Sequence, residues 1–219
     1  MAGRGRGFTP LRSASVSCGY DNGQSSGLHM KATQTASGTR RPRAVALPAG
    51  SRIANLFAGA DLADAYAIQL PSTSTNDIET LVRFVLCSPT SWFRSLLRLR
   101  DALVAGFGIK TSRQLRDAPV ENAERRIFIF RVYAVYVDEM ILGEDDKHLD
   151  FRASVRLRSD HGESASVKEI VLTTVVHCHN LLGRCYIALI RPFHRLVVRS
   201  MLRRAALRGW PESTAPTGR

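Results

Sequence analysis

Three groups of residues in this 219-residue chain have the types and spacing from which sites are built. The first is His177-Cys178-His179, with His148 and Asp150 upstream. Alternate positions of a strand point to one side, so His177 and His179 share a face, and an antiparallel pairing brings His148 and Asp150 close. Two imidazoles and a carboxylate are a ligand set for a divalent transition metal. A solvated rim of hydrogen-bonded side chains accounts for the same pattern, and no metal site is assigned. Cys178 has no third group that would orient a Cys-His nucleophile. The second group is Glu144-Asp145-Asp146 in "GEDDK". Neighbouring carboxylates divide acid and base roles only where their environments differ, and the sequence puts these in an exposed turn, so no catalytic residue is assigned. The third is Arg191, His194 and Arg195. Guanidinium and imidazole groups suit a carboxylate or phosphate head group, against the alternative of a solvated outer helix face whose arginine stems cover apolar surface.

These residues need elements to position them. "DAYAIQL" (64–70) is a strand candidate ended by Pro71, and "STSTND" offers caps for a helix that starts near Asn76, with Ile78, Leu81, Val82 and Val85 on one stripe. Pro89 interrupts it, and a second stripe follows through Trp92, Leu96, Leu99 and Leu103. From Arg126 the period becomes that of strands: "IFIFRVYAVYV" (127–137), "EMILG", and "HLDFRASVRL", in which Leu149, Phe151, Ala153, Val155 and Leu157 alternate with polar residues. "SDHGES" turns the chain back near His161 into "SVKEIVLTTVVHCH", where Ile170, Leu172, Thr174 and Val176 extend the dry face and Glu169 lies diagonal to Arg152 and Arg156. Asn180 caps a final helix of about 23 residues that runs through Pro192 and leaves the body near Arg203. Its expected inner side is Leu182, Tyr186, Leu189, Phe193, Leu196 and Val197, and Arg184, Arg191, Arg195 and Arg199 gather on the other.

The net charge of +12 suggests nucleic acid until it is divided along the chain. Residues 1–43 carry seven basic side chains and one acidic, residues 184–219 carry eight and one, and the body between carries sixteen and seventeen. A neutral body with basic ends argues against a nucleic-acid partner. Residues 1–43 lack apolar periodicity and read as a disordered tail, with Met30 as an alternative start. One domain over 44–208 and a disordered tail over 209–219 complete the expected organisation. Cys18, Cys87, Cys178 and Cys185 show no paired spacing, which reads as reduced thiols in a cytoplasmic protein.

Strand, two bent helices, antiparallel strands and a long last helix is the order of the helix-grip domains, an α+β class. The stretches "GADLADAY", "LRDALVAGFGIKT", "LGEDDKHLDFRASV", "TTVVHCHNLLGR" and "YIALIRPFHRLVVRSML" resemble the bacterial family known as domain of unknown function 2867, itself similar to the Bet v 1 or polyketide-cyclase superfamily. The resemblance spans about Arg43 to Arg204. The segment 119–137 departs from it by being more hydrophobic and arginine-rich. What the resemblance implies is an apolar cavity between sheet and last helix that binds a small molecule or lipid. Its expected lining is Trp92, Phe151, Thr174, Tyr186 and Phe193, with Arg191, His194 and Arg195 as head-group contacts. Relatives fused to an NAD(P)-binding reductase imply a reductase partner as an alternative role, since this chain has no GxGxxG. A cyclase-like or hydrolase-like enzyme using Asp150 or His194, and contact with a membrane surface through the arginine face, are the other readings. No cofactor is expected.

Overall fold

Strand-period sequence runs through the middle of the chain, and in the computed structural model of the protein it forms one antiparallel sheet. The structure describes residues 41–87, 125–161 and 166–213. Among them are β1 (Arg43–Val45), β2 (Leu62–Leu70), β3 (Arg126–Ile127), β4 (Phe130–Val135), β5 (Glu139–Asp145), β6 (Leu149–His161) and β7 (Ser166–Cys178). Their order across the sheet is β1-β2-β7-β6-β5-β4-β3. Strands β3 to β6 each pair with the next in sequence, while β2 crosses over to pair with β7. Two helices are described, α1 (Ile78–Leu86) and α2 (Leu181–Arg208), and with the sheet they make an α+β protein. The expected second helix, around Trp92 to Leu103, lies outside the described residues.

Alternation assigns the two faces of the sheet. Leu157 pairs with Ile170, Val155 with Leu172, Ala153 with Thr174 and Phe151 with Val176. The apolar members of this face, with Tyr66 and Ile68 of β2 and Met140 and Leu142 of β5, pack against Leu81, Val82 and Val85 of α1 and Val198 and Leu202 of α2. Asp77 caps α1, its carboxylate accepting from the backbone N–H groups of Glu79 and Thr80.

The back face is not uniformly wet. Val45 and Leu47 cover Ala65, Ala67 and Val171, and Ile53 packs on Ile141 and Val175. This covering segment is tied down by Glu139, which is 1% exposed. Its carboxylate accepts from Ser51 Oγ at 2.6 Å, from the Arg52 N–H at 3.0 and 3.1 Å, and from the Ser154 hydroxyl.

Four sequence expectations change. The run 127–137 is not one strand: Phe128 and Ile129 turn the chain between β3 and β4, with Phe128 at φ 59°. A non-glycine residue there costs about 1–2 kcal/mol, so nothing in local propensity announces the turn. The β6–β7 hairpin turns later than His161, so Glu169 stands opposite Arg158 and bonds to it and to Arg43 rather than lying near Arg152 and Arg156. Helix α2 has 28 residues and stays on the body beyond Arg203: Leu202 and Ala205 are buried, and the Arg208 guanidinium lies 4.4 Å from the Phe84 ring centre. Residues 209–213 are not a tail either, since Trp210 is buried beside Phe84 and the backbone of Pro211 and Ser213 bonds to Thr75 and Thr73.

Helix α2 also buries a different stripe from the one expected. Its buried line is Gly183, Ile187, Val198, Leu202 and Ala205, whereas Leu189 is 52% and Leu196 57% exposed. The helix carries two apolar stripes, and packing selects between them. Asn180 caps its start by accepting from the Gly183 N–H. Gly183 then sets the contact: a Cβ added there would stand 2.3 Å from the His148 carbonyl oxygen, so only glycine lets α2 meet the β5–β6 turn this closely.

Candidate functional site

Between the helical face of the sheet and α2 lies a cavity of about 250 Å³. Drug-sized ligand pockets span ~300–1,000 Å³, so this one suits a small molecule or part of a longer one. Its walls come from Leu142 of β5, Phe151 and Val155 of β6, Leu172 of β7 and Ile187 and Val197 of α2, with Phe128 and Phe130 at the β3–β4 turn. The strained φ of Phe128 thus sits at a residue that faces the cavity, where backbone strain often marks function.

Of the residues expected to line a cavity, Phe151, Thr174, Tyr186 and Phe193 do line it, and Trp92 lies outside the described residues. The expected head-group set is not brought together. Arg191 and Arg195 are exposed on the outer side of α2, while His194 faces the cavity. The same turn of α2 that exposes Leu189 carries His194 inward, because it shares a stripe with Ile187 and Val198.

His194 meets an acid that the sequence reading passed over. Asp64 of β2 stands opposite Thr174 of β7, on the helical face. Its Oδ1 is 3.3 Å from His194 Nε2, with both side chains largely buried. The approach lacks hydrogen-bond alignment: neither Asp64 oxygen, nor His194 Nε2, nor Thr174 Oγ1 has a hydrogen-bond partner among the described residues, and all four atoms are buried. Among the described residues orphan polar atoms also occur at Ser74, His148 and Thr173, whereas Asp64 of β2, Thr174 of β7 and His194 of α2 bring theirs together. Leaving a buried polar group unpaired costs about 1–3 kcal/mol. Beside them, burial and then the charge of Asp64 push the Tyr66 phenol up, so it stays protonated at neutral pH.

The "GEDDK" acids occupy different environments, contrary to the exposed turn expected for all three. Strand β5 continues through Asp145, so its alternation sends Glu144 to the helical face, where it lines the cavity and pairs with Arg126 at 2.9 Å. Asp146 also lines the cavity. Asp145 points to the back, with Arg152 and the Tyr133 hydroxyl, and burial followed by that hydrogen bond pushes the Tyr133 phenol to about 12. A shared signal marks Asp64, Glu144 and His194: each is a polar residue standing in phase with an apolar repeat.

The histidine cluster disperses. His177 bonds to the Leu56 carbonyl oxygen at 2.8 Å, His179 pairs with Asp150 at 3.0 Å on the surface, and His148 bonds to Asn180. Asp150 is therefore not a cavity acid. No three His, Cys, Asp or Glu side chains among the described residues are grouped to hold a metal ion. Burial, and then the charge of Asp61, push the Cys178 thiol up to about 11, which keeps it protonated and a poor nucleophile at neutral pH. No helix among the described residues is long and apolar enough to cross a membrane.

No curated protein matches the chain, and no solved structure matches it. A family model does, over residues 56–201, a span holding the cavity walls, Asp64, Thr174 and His194. By that match the chain belongs to the family described as protein of unknown function DUF2867.

Proposed function

We propose that the protein is a binding module of helix-grip type that holds an apolar small molecule, or the apolar part of a lipid, in the cavity beneath α2. One observation carries this reading: a space of about 250 Å³ lined mainly by aromatic and aliphatic side chains from β5, β6, β7 and α2. The strand order, with β2 joining the last strand and a long final helix across the sheet, agrees with the helix-grip arrangement. Titration with N-phenyl-1-naphthylamine tests the reading. Saturable one-site uptake by the full chain, lost in the cavity-filling variant Ala153→Phe, is the expected result. Equal uptake by both would place the dye elsewhere and overturn it.

A second reading concerns where such a ligand is collected. Helix α2 carries seven arginines and no acidic residue, and Leu189 and Leu196 stand exposed among them. Exposed leucines flanked by arginines form the pattern of a helix lying on an anionic lipid surface. The full chain should co-sediment with phosphatidylserine vesicles in dilute buffer, and Leu189→Ser with Leu196→Ser should release it. Equal sedimentation with phosphatidylcholine vesicles would contradict this.

A further inference from the structure

The cavity wall holds more polar atoms than the protein gives partners. Thr174 is 1% exposed, lines the cavity, and keeps an unpartnered hydroxyl. His194 reaches the same space from α2, with Asp64 3.3 Å from its Nε2 and both Asp64 oxygens buried without a donor. A purely hydrocarbon occupant would leave the threonine hydroxyl and the imidazole unpaired. A hydroxyl has one donor and two acceptor positions, enough to serve the threonine and the imidazole together.

Charge narrows the class. The described lining residues include Glu144, which pairs with Arg126, and Asp146, but no lysine or arginine. A carboxylate or phosphate head would find no guanidinium or ammonium group on the described lining to pair with, and burying a charge without a partner is costly. The arginines of α2 do not relieve this, because Arg191 and Arg195 lie on the outer side.

We propose that the cavity selects a neutral apolar molecule bearing a hydroxyl, an alcohol or phenol, whose oxygen is held by Thr174 and His194. Asp64 is the positioning residue that fixes the imidazole. This rests on the reading of the cavity as a ligand site and names what the ligand must carry.

Calorimetric titration of the full chain with naphthalene, 2-naphthol and 2-naphthoate at neutral pH tests it. The expected order is 2-naphthol about tenfold or more tighter than naphthalene, because a site built to bond a hydroxyl discriminates against its absence, with 2-naphthoate weaker than 2-naphthol. Thr174→Val and His194→Phe should each bring the ratio of 2-naphthol to naphthalene affinity most of the way to one. Asp64→Asn should lower the ratio of 2-naphthol to naphthalene affinity, whereas a purely structural role would weaken both ligands alike and leave the ratio unchanged. Equal binding of naphthalene and 2-naphthol to the unaltered chain overturns hydroxyl selection and leaves the cavity reading standing. Tightest binding of 2-naphthoate overturns the charge argument and with it the proposal. Binding of none of the three overturns the proposal and the cavity reading together. The comparison on the unaltered chain decides the matter even if a variant fails to fold.

Discussion

Single side chains do two kinds of work in this protein. Glu139 holds the covering segment to the back of the sheet through Ser51, Arg52 and Ser154. Hydrogen bonds to a charged group contribute about 1.5–3 kcal/mol each, so Glu139→Ala should lower stability by roughly 3 kcal/mol, read as a reduced urea midpoint. An unchanged midpoint would mean that the segment is held by its apolar contacts alone. Asp77 caps α1, and the hydrogen bond from the Thr80 hydroxyl, with the backbone N–H groups of Thr80 and Glu79, holds its carboxyl below the usual range against some burial. A carboxyl depressed in the folded state stabilises fully above its unfolded pKa of about 3.9 and loses that contribution as pH falls through the folded value. Asp77→Ala should therefore cost about 1 kcal/mol at neutral pH and clearly less in acid. A cost that did not shrink in acid would contradict the charged cap. Asp64, Glu144 and His194 were legible only as polar residues in phase with apolar ones. His194 was nevertheless named in advance, as a head-group contact beside Arg191 and Arg195, whereas Asp64 and Glu144 were not assigned to a cavity.

At the scale of elements, α2 decides most of the architecture. Its buried line predicts that Leu202→Asp unfolds the protein, while Leu189→Ser with Leu196→Ser leaves the melting temperature within a few degrees. The reverse result would restore the orientation that side-chain apolarity suggests. That orientation failed for a physical reason: apolarity counts do not register Gly183, whose missing side chain allows the closest approach to the sheet. The strands were legible wherever apolar and polar residues alternate over many positions, as in β6 and β7, and the Asp77 cap region located α1 closely. The β3–β4 turn was not, because Phe128 and Ile129 are poor turn formers held there by their surroundings. The end of α2 was misjudged because Arg208 covers Phe84 with its guanidinium instead of leaving the body.

For the whole molecule, the basic charge and the apolar cavity belong to different surfaces. Arg191, Arg195 and Arg199 of α2 lie outside, and the same helix closes a space whose described lining has acidic residues and no basic ones. Membership of the DUF2867 family covers this arrangement without assigning it an activity. The central claim is that the space beneath α2 is a ligand site. Its most direct test is native mass spectrometry of the full chain, purified gently from its host and compared with the denatured mass. The account predicts a reproducible extra mass that denaturation removes and that Ala153→Phe diminishes. A bare chain in every preparation, which also fails to take up N-phenyl-1-naphthylamine, would contradict it.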